Sequence, residues 1–298
     1  MKILITGSAG FMASALIESL PENYCLYCVD IVEKPTSLKY NGEINWVEGS
    51  FVDDYIINNI PCDVDIAFHF ATTTFPLTAE DNLIKDIEEN VLGSIKLFEY
   101  LYQNGCKKIV YASSSGAMYC NDIMENSEIS VYPMSCYGVT KSCIEGYLRV
   151  LAKKYDKASI SLRFSNPYGK GKSERVYGVI PLFIEKIRNG EEIVLFEKDI
   201  KKDFILINDV VRAILNLMNY EGPVREFNVS SSSLLSLEEL IEIIENKLGI
   251  EANVIYKHSF YPELTTGIIK SNLLYNEIGW EPYGSIESEI ERLIEFNK

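Results

Sequence analysis

The chain opens on the stretch KILITGSAGFMA, residues 2–13, in which an apolar run is followed by a glycine-rich turn and an apolar helical pattern. Gly7 permits a tight turn, and Gly10 lets the backbone approach a pyrophosphate at the N-terminus of the helix that Phe11 and Met12 begin. Ala13 replaces the third glycine of such turns, which is tolerated because that position requires only close helix–strand packing. The stretch predicts the first strand, turn and helix of a dinucleotide-binding fold.

Asp30 ends a second apolar run, residues 24–30, and lies twenty residues after Gly10. A carboxylate at this place can accept hydrogen bonds from both ribose hydroxyls and would repel a 2′-phosphate, which favours NAD over NADP. A glycine-rich turn alone also occurs in ordinary β–α connections. Strand, turn, helix, second strand and terminal Asp together predict NAD as the cofactor.

Strand-like and helix-like segments alternate through the first half of the chain. The predicted strands are residues 2–6, 24–30, 45–48, 65–71, 108–113 and 159–164, and the predicted helices between them are residues 11–20, 80–104 and 136–154. Nearly continuous apolar strands separated by helices indicate a parallel sheet covered on both faces. The fold class is therefore α/β, a doubly wound parallel sheet of the Rossmann type.

Elements become shorter after residue 166, where residues 166–172 have loop chemistry. Further predicted elements are helices at 179–189, 208–220, 236–248 and 286–295 and strands at 192–196 and 203–207. The sequence indicates a dinucleotide-binding domain over residues 1–168, to which 203–222 returns, and a smaller C-terminal α/β lobe for the substrate over residues 169–298.

Composition excludes several classes of protein. The net charge of −15 disfavours nucleic acid or an anionic membrane as a partner, and no apolar run has the length of a membrane span. The N-terminal run lacks the cleavage site of a signal peptide. Seven scattered Cys and two His favour a reduced cytosolic protein without a metal site, in which Cys25 and Cys28 are packing residues.

Tyr137 and Lys141 are spaced i and i+4 at the start of a predicted helix, so they share one helix face. A free Tyr titrates near pH 10 and is a poor base at neutral pH. We expect Lys141, together with the charge of oxidised nicotinamide, to stabilise the phenolate and lower its pKa. Tyr168 and Lys172 repeat the spacing within the loop, where the two side chains need not face each other. Ser115 follows the fifth strand and can donate to a substrate oxygen.

These residues resemble the extended short-chain dehydrogenases/reductases, in the nucleotide-sugar epimerase/dehydratase branch. The resemblance continues through segments in both halves of the chain: His69-Phe70-Ala71, Asn90, and residues 162–169, 178–181, 202–211, 227–230 and 278–282. It implies catalysis by Ser115, Tyr137 and Lys141 on a nucleotide-diphosphate sugar.

The resemblance also implies further binding residues. For the cofactor these are Ser50 and Phe51 near the adenine, with Phe70, Ala71, Thr72, Asn90, Tyr137, Lys141 and Ser165. For the substrate they are Ser115, Asn166 at the diphosphate, Val179, Val194 and Phe196 near the base, and Lys202. It further implies a homodimer formed through the helices at 80–104 and 136–154.

Three positions depart from the pattern of this family. Relatives often have Asp at the position of Ser50 and Arg at that of Lys202, and a Lys neutralises phosphate without bidentate geometry. Residues 257–263 contain no Arg, whereas relatives bind the substrate diphosphate with an Arg in the C-terminal part of the chain. The resemblance therefore does not say which residue at this place would hold the substrate diphosphate.

Gly116 and Ala117 limit the reaction. Dehydratases of this family resemble one another in an Asp-Glu pair at this place, and decarboxylases carry a Glu, whereas Gly and Ala cannot transfer protons. We expect an NAD-dependent epimerase acting at C4 of the sugar through a 4-keto intermediate. The alternative is an NAD(P)H-dependent reductase of a nucleotide 4-ketosugar, and a distant alternative is a non-catalytic sensor of the dinucleotide.

Overall fold

Strand β1 (Lys2–Thr6) lies inside a seven-stranded parallel sheet in the computed structural model, which describes residues 1–119, 131–169, 178–257 and 268–296. The other six strands are β2 (Cys25–Asp30), β3 (Glu43–Glu48), β4 (Ile66–His69), β5 (Lys108–Ser114), β6 (Ala158–Phe164) and β10 (Glu226–Val229). Their order across the sheet is β10-β6-β5-β4-β1-β2-β3. Because the order reverses between β1 and β4, a crevice forms there at the carboxyl ends of the strands, where open α/β sheets bind ligands.

Helices cover both faces of this sheet, as the apolar strands predict. One face carries α1 (Phe11–Ile17), α8 (Ile207–Leu217) and α10 (Asn272–Ile278), and the other carries α2 (Asp54–Asn58), α5 (Gly93–Gln103) and α6 (Cys136–Tyr155). Strand residues alternate between the two cores, so that Ile3 and Ile5 pack on the first and Leu4 on the second. The predicted doubly wound fold is confirmed.

The single helix predicted over residues 80–104 is wrong. The structure has α3 (Pro76–Asp81), α4 (Leu83–Asp86), a π-helix (Ile87–Leu92) and α5. Asn82 leaves helical geometry with φ −147° and ψ 70°, and its side chain accepts a hydrogen bond from the Lys85 N–H, which caps the restarted helix. Local side-chain hydrogen bonding at Asn competes with helix propagation, and it sets the break.

A second lobe packs around its own apolar core. It contains helices α7 (Val179–Asn189), α9 (Leu237–Leu248) and α11 (Ile286–Phe296), with short strands β7 (Asn166–Tyr168), β8 (Glu192–Leu195), β9 (Lys201–Leu206), β11 (Leu234–Ser236) and β12 (Asn253–Tyr256). Strands β11, β9 and β7 form one sheet and β12 pairs with β8.

Two elements of this region differ from the prediction. Residues 166–168, predicted as loop, form β7 at the edge of the three-stranded sheet, where Pro167 is tolerated because an edge strand needs fewer donors. Strand β10 pairs with β6 in the main sheet, with Phe227 opposite Leu162. The chain therefore returns to the first domain beyond residue 222.

Some predicted features lie outside the described residues: Lys172 of the second Tyr–Lys pair, and 258–263 of the stretch searched for Arg. Within the described ranges, no helix is both long and apolar enough to span a membrane, and no three His, Cys, Asp or Glu side chains form a metal site. Cys28 is buried in β2, and burial raises the pKa of its thiol to about 12, which agrees with a packing role.

Candidate active site

The turn between β1 and α1 is shaped for close approach by a ligand backbone. Gly7 has φ +70°, and its N–H donates to the Val29 carbonyl at 2.9 Å. A Cβ at Gly7 would lie 2.8 Å from the Ala71 nitrogen, and one at Gly10 would lie 2.9 Å from the Gly7 oxygen. Among the described residues no side chain caps α1, which Phe11 and Met12 begin directly after the glycine turn. This cradle fits the pyrophosphate of NAD.

Asp30 lies beside the glycine turn at the end of β2. Its Oδ2 accepts a hydrogen bond from the Ala9 N–H at 2.8 Å, and its Oδ1 accepts one from the Val32 N–H at 3.2 Å. The carboxylate is half-buried and each oxygen retains a lone pair. Both carboxylate oxygens are thus held in place by backbone N–H groups, and contact of Asp30 with an adenosine ribose stays a prediction.

Ser50 and Phe51 follow β3, next to Asp30, because the Gly49 N–H donates to the Asp30 carbonyl at 2.7 Å. The Phe51 ring is buried and packs edge-on against His69 at 4.9 Å between centroids. Its side chain therefore belongs to the core, and contact with an adenine falls to the backbone of this segment and to Ser50. That contact stays a prediction.

The loop after β4 is ordered by Asn90. Its Oδ1 accepts from the Thr73 N–H at 2.9 Å and the Thr72 hydroxyl at 3.2 Å, and its Nδ2 donates to the Thr73 and Thr74 hydroxyls at 2.9 and 3.0 Å. The Ala71 N–H donates a hydrogen bond to the hydroxyl of Thr6 on β1 at 3.4 Å. Asn90 therefore supports the segment containing Phe70, Ala71 and Thr72, and direct contacts with the cofactor stay a prediction for all four residues.

Asp86 was missed by the sequence analysis. It is fully buried at the end of α4 and accepts hydrogen bonds from the hydroxyls of Thr74 and Thr140 and from Asn90 Nδ2, the last at 2.8 Å. Thr140 immediately precedes Lys141 on α6. In the sequence Asp86 stands beside Lys85 and close to Glu88 and Glu89, and an acidic residue in such a charged stretch more commonly lies on a solvated face.

Ser115 lies in the turn that follows β5. Its N–H donates to the Phe164 carbonyl at 2.8 Å, and the residue is fully buried. Its Oγ has no hydrogen-bond partner among the residues that the structure describes, and the same holds for Ser113 Oγ on the same strand. A buried hydroxyl without a partner is costly, so an unpaired Oγ at the carboxyl end of a strand indicates a position for a ligand atom.

The first turn of α6 packs directly on the Ser115 turn. A Cβ at Gly138 would lie 2.1 Å from the Ala117 carbonyl oxygen, so only glycine permits this approach. Ser135 caps the helix by accepting from the Gly138 N–H at 3.1 Å, and Glu80 accepts from the Cys136 N–H at 2.7 Å. These contacts place the first turn of α6, which carries Tyr137, against the turn that contains Ser115.

Lys141 is buried, and its Nζ lies 5.4 Å from the centroid of the Tyr137 ring and 4.9 Å from that of Tyr111. Burial lowers the pKa of Lys141 to about 8, while the negative charges of Asp86 and Glu145 act in the opposite direction. The ammonium form is thus kept at neutral pH. The predicted Tyr–Lys pair is present on one face of α6.

The expected lowering of the Tyr137 pKa is not produced by the protein's own groups. Burial raises the pKa of Tyr137 to about 12, and the charge of Asp86 adds to this rise. Both effects disfavour a phenolate, because the anion loses solvation and is repelled by a carboxylate. We expect the positive charge of a bound oxidised nicotinamide to act in the opposite direction and to lower this pKa.

The predicted substrate residues belong to the second lobe and its junction. Asn166 is on β7, with its Nδ2 donating to the Asp203 carbonyl at 2.8 Å. Val179 begins α7, Val194 lies on β8, Phe196 follows it with 45% of its surface exposed, and Lys202 lies on β9. Ser165 joins β6 to β7, and its N–H donates to the Val229 carbonyl at 3.0 Å. Their contacts with a ligand stay predictions.

Comparison with known proteins agrees with this geometry. Residues 3–230 match the model of the NAD dependent epimerase/dehydratase family. The dTDP-4-dehydro-6-deoxyglucose reductase of Escherichia coli is 36% identical, covering 98% of this chain and 96% of that protein. A putative UDP-glucose 4-epimerase of Methanocaldococcus jannaschii is 28% identical, covering 99% and 98%.

A solved structure is similar over the whole length. The UDP-glucose 4-epimerase of Thermotoga maritima with UDP-glucose is 26% identical and superposes with a TM-score of 0.88, covering 100% of this chain and 98% of the other. Residues 3–230 match the family over more than half of the chain, and a full-length relative is 36% identical. The glycine turn after β1 and the Tyr–Lys pair on α6 agree with this assignment. The chain is an enzyme of the NAD-dependent epimerase/dehydratase family.

Proposed function

We propose that the enzyme moves hydride between C4 of a nucleotide-diphosphate sugar and NAD, with Tyr137 transferring the proton of the C4 oxygen. The observation that carries this proposal is the unpaired, buried hydroxyl of Ser115 in the turn on which Gly138 packs, one residue after Tyr137. A hydroxyl donor and a phenol at one place can hold and deprotonate a sugar alcohol.

The residues that would hold NAD lie along the carboxyl ends of β1 to β6. Gly7, Gly10, Phe11 and Met12 would meet the pyrophosphate, and Asp30 and the Ser50–Phe51 segment would meet the adenosine. The remaining residues of the set, proposed for the nicotinamide side, are Phe70, Ala71, Thr72, Asn90, Tyr137, Lys141 and Ser165. When bound, NAD supplies the hydride acceptor or, as NADH, the hydride donor.

Tyr137 performs the proton step. As the C4–O4 bond becomes a carbonyl, the phenolate accepts the O4 proton, and as the carbonyl is reduced the phenol returns it. Ser115 donates a hydrogen bond to O4 throughout, and Lys141 places positive charge beside the Tyr137 ring. Gly116 and Ala117 offer no acid or base for elimination of water.

Epimerisation uses this half-reaction twice, and its support is the overall match to the epimerase of Thermotoga maritima. Reduction uses it once, and its support is the higher identity, 36% over nearly the full length, to the reductase of Escherichia coli. That relative makes dTDP-4-dehydro-6-deoxyglucose the first ketosugar to test. The intact Ser115, Tyr137 and Lys141 speak against a non-catalytic sensor.

The nucleotide that stays bound to the protein through purification distinguishes epimerisation from reduction. The protein is denatured after purification, and the released nucleotide is identified by mass spectrometry. Stoichiometric NAD, with conversion of UDP-glucose to its C4 epimer, supports epimerisation. An empty site, with many equivalents of NADH or NADPH oxidised by the ketosugar, supports reduction. Turnover of neither substrate class would contradict the proposed function.

We further propose a cytosolic homodimer formed through α5, α6 and the segment before α5. The segment before α5 and helix α6 expose apolar side chains that a monomer would leave in water: Ile84, Ile87, Leu92, Val139, Tyr147 and Val150. Val150 on α6 is 62% exposed, so Val150→Glu should convert a dimer to a monomer in size-exclusion chromatography with light scattering. A wild-type monomer would contradict this proposal.

The product of either reaction is an activated sugar. Because the nucleotide diphosphate is a leaving group for glycosyl transfer, we place the enzyme upstream of polysaccharide synthesis. Residues Asn166, Val179, Val194, Phe196 and Lys202 are proposed to hold the nucleotide. Lys202→Ala should raise KM for the nucleotide sugar more than it lowers kcat, which steady-state kinetics measures.

A further inference from the structure

The carboxylate of Asp86 joins three parts of the active site. It accepts from Thr74 in the loop after β4, from Thr140 on α6 and from Asn90 in the π-helix. None of its surface is exposed to solvent. Burying a carboxylate away from water costs folding free energy unless its oxygens accept hydrogen bonds, and here three side chains donate hydrogen bonds to them.

The local backbone places Asp86 at a transition. Asp86 ends α4, and the π-helix begins at the next residue, so Asn90 still reaches back to it across one turn. π-helical turns are rare and often mark functional sites. The same Asn90 amide orders residues 72–74. Asp86 and Asn90 together therefore link the loop on the cofactor side to the helix that carries Tyr137.

We propose that Asp86 is a positioning residue that fixes α6 against the loop at 72–74 and serves as the buried counter-charge of the Tyr137–Lys141 pair. The proposal rests on the proposed function for its kinetic consequences alone. Asp86 touches neither Tyr137 nor a reacting atom. It acts through Thr140, which is adjacent to Lys141 on the same helix.

The charges around Asp86 define its effect. The titratable groups that face the pair are Tyr111 on β5, His69 on β4, and Glu145 on α6 beyond Lys141. Glu145 is engaged by Arg163 at 2.7 Å, and the pKa of His69 is lowered to about 3 by burial and by Lys141, so His69 is neutral. Asp86 raises the pKa of both Lys141 and Tyr137, whereas Glu145 adds to the rise at Lys141.

An uncharged amide at residue 86 would fill the same space but remove this charge. Removing a negative charge lowers the pKa of a neighbouring ammonium and of a neighbouring phenol alike. In Asp86→Asn, both limbs of the pH profile of kcat/KM should therefore move to lower pH, by about one pH unit. Glu289→Gln, which changes a buried carboxylate on α11 in the second lobe, should leave both limbs in place.

A spectroscopic measurement reads the same effect without turnover. The protein with bound NAD is labelled with ¹³Cζ-tyrosine, and the Tyr137 signal is assigned by its loss in Tyr137→Phe. The phenol should titrate about one pH unit lower in Asp86→Asn than in wild type. If the signal shifts while no sugar is converted, the proposal stands and only the proposed function fails. If neither the titration nor the limbs move, the counter-charge role is overturned.

Thr140 tests the positioning role separately, and it also serves if Asp86→Asn does not fold. Thr140→Val keeps the side-chain shape and the charge of Asp86 but removes the hydroxyl donor, and Thr140→Ser restores the donor. We expect Thr140→Val to lower kcat about tenfold with KM nearly unchanged, and Thr140→Ser to recover most of it. Equal kcat in all three proteins would overturn the positioning role.

Discussion

The Nζ of Lys141 donates a hydrogen bond to the carbonyl oxygen of Ala112 at 3.0 Å, joining helix α6 to strand β5. Ala112 lies three residues before Ser115, so this bond fixes the Tyr–Lys face of the helix relative to the Ser115 turn. The bond also satisfies part of a buried ammonium that would otherwise be unfavourable. Lys141 thus joins α6 to β5 through the Ala112 carbonyl and also places its positive charge near the Tyr137 ring.

Tyr137→Phe should reduce turnover by about 10²–10⁴-fold, the usual contribution of a general acid–base group. The ring and its packing remain, so the thermal midpoint and the NAD affinity should stay at the wild-type level. Calorimetry measures the thermal midpoint and the NAD affinity, and a steady-state assay with the accepted nucleotide sugar measures turnover. Retention of more than a tenth of the wild-type activity would remove Tyr137 from the mechanism.

Gly7→Ala should weaken NAD binding and destabilise the fold more than a matched glycine change does. Both Gly7 and Gly190 have positive φ, +70° and +66°, so Ala at either costs roughly 1–2 kcal/mol of backbone strain. At Gly7 the Cβ also meets Ala71 at 2.8 Å, whereas nothing lies within 4 Å at Gly190. Chemical denaturation with and without NAD measures the difference. Equal destabilisation and unaltered NAD affinity would refute the cradle.

Asp30→Asn should shift cofactor preference towards NADP, by about tenfold in the ratio of dissociation constants. The amide can still accept from the Ala9 N–H but no longer repels a 2′-phosphate. Fluorescence titration with both reduced dinucleotides gives the ratio. Glu43→Gln, at the opposite end of the neighbouring strand β3, is the control and should leave it unchanged. An unaltered ratio in Asp30→Asn would make Asp30 an ordinary strand-end residue.

His69 should make the fold sensitive to acid. Its pKa is lowered to about 3 by burial and by the charge of Lys141, while in the unfolded chain it titrates near about 6.5. Between these values the unfolded state binds one more proton, so stability rises with pH and is lost on acidification.

In His69→Gln that proton uptake is absent. Between pH 6 and pH 4, the free energy of unfolding should fall with acidification less steeply than in wild type, by up to about 1.4 kcal/mol per pH unit. Urea denaturation at several pH values measures the slope. Identical slopes would mean that His69 is already protonated in the folded protein, or that its pKa is the same in the folded and unfolded states.

Much of the fold follows from local patterns in the sequence. The strand Lys2–Thr6 and the helix Val179–Asn189 have the predicted bounds, because continuous apolar residues in one and a clear helical period in the other leave no competing arrangement. Tyr137 and Lys141 were found in the same way, since i, i+4 spacing at a helix start places both on one face.

The remaining features depend on contacts that distant residues make. In the sequence Asn82 does not differ from other polar helix residues, and only the structure shows that its side chain accepts from the Lys85 N–H and caps α4. Strand β10 joins the main sheet by pairing with the free edge of β6. Asp86 is the clearest case, because its three partners come from three elements. A buried carboxylate and a solvated one are identical in sequence, and only tertiary packing distinguishes them.

Hydride transfer at C4 of the sugar, with Tyr137 as the proton carrier, can be measured directly by a labelling experiment. The enzyme is loaded with NADH that carries deuterium at both hydrogen positions of C4 of the nicotinamide, mixed with dTDP-4-dehydro-6-deoxyglucose, and the sugar is analysed by NMR. Both an epimerase and a reductase should deliver one deuterium to C4 of the sugar, and Tyr137→Phe should not. A sugar without deuterium at C4, recovered from wild-type enzyme saturated with the dinucleotide, would contradict the account.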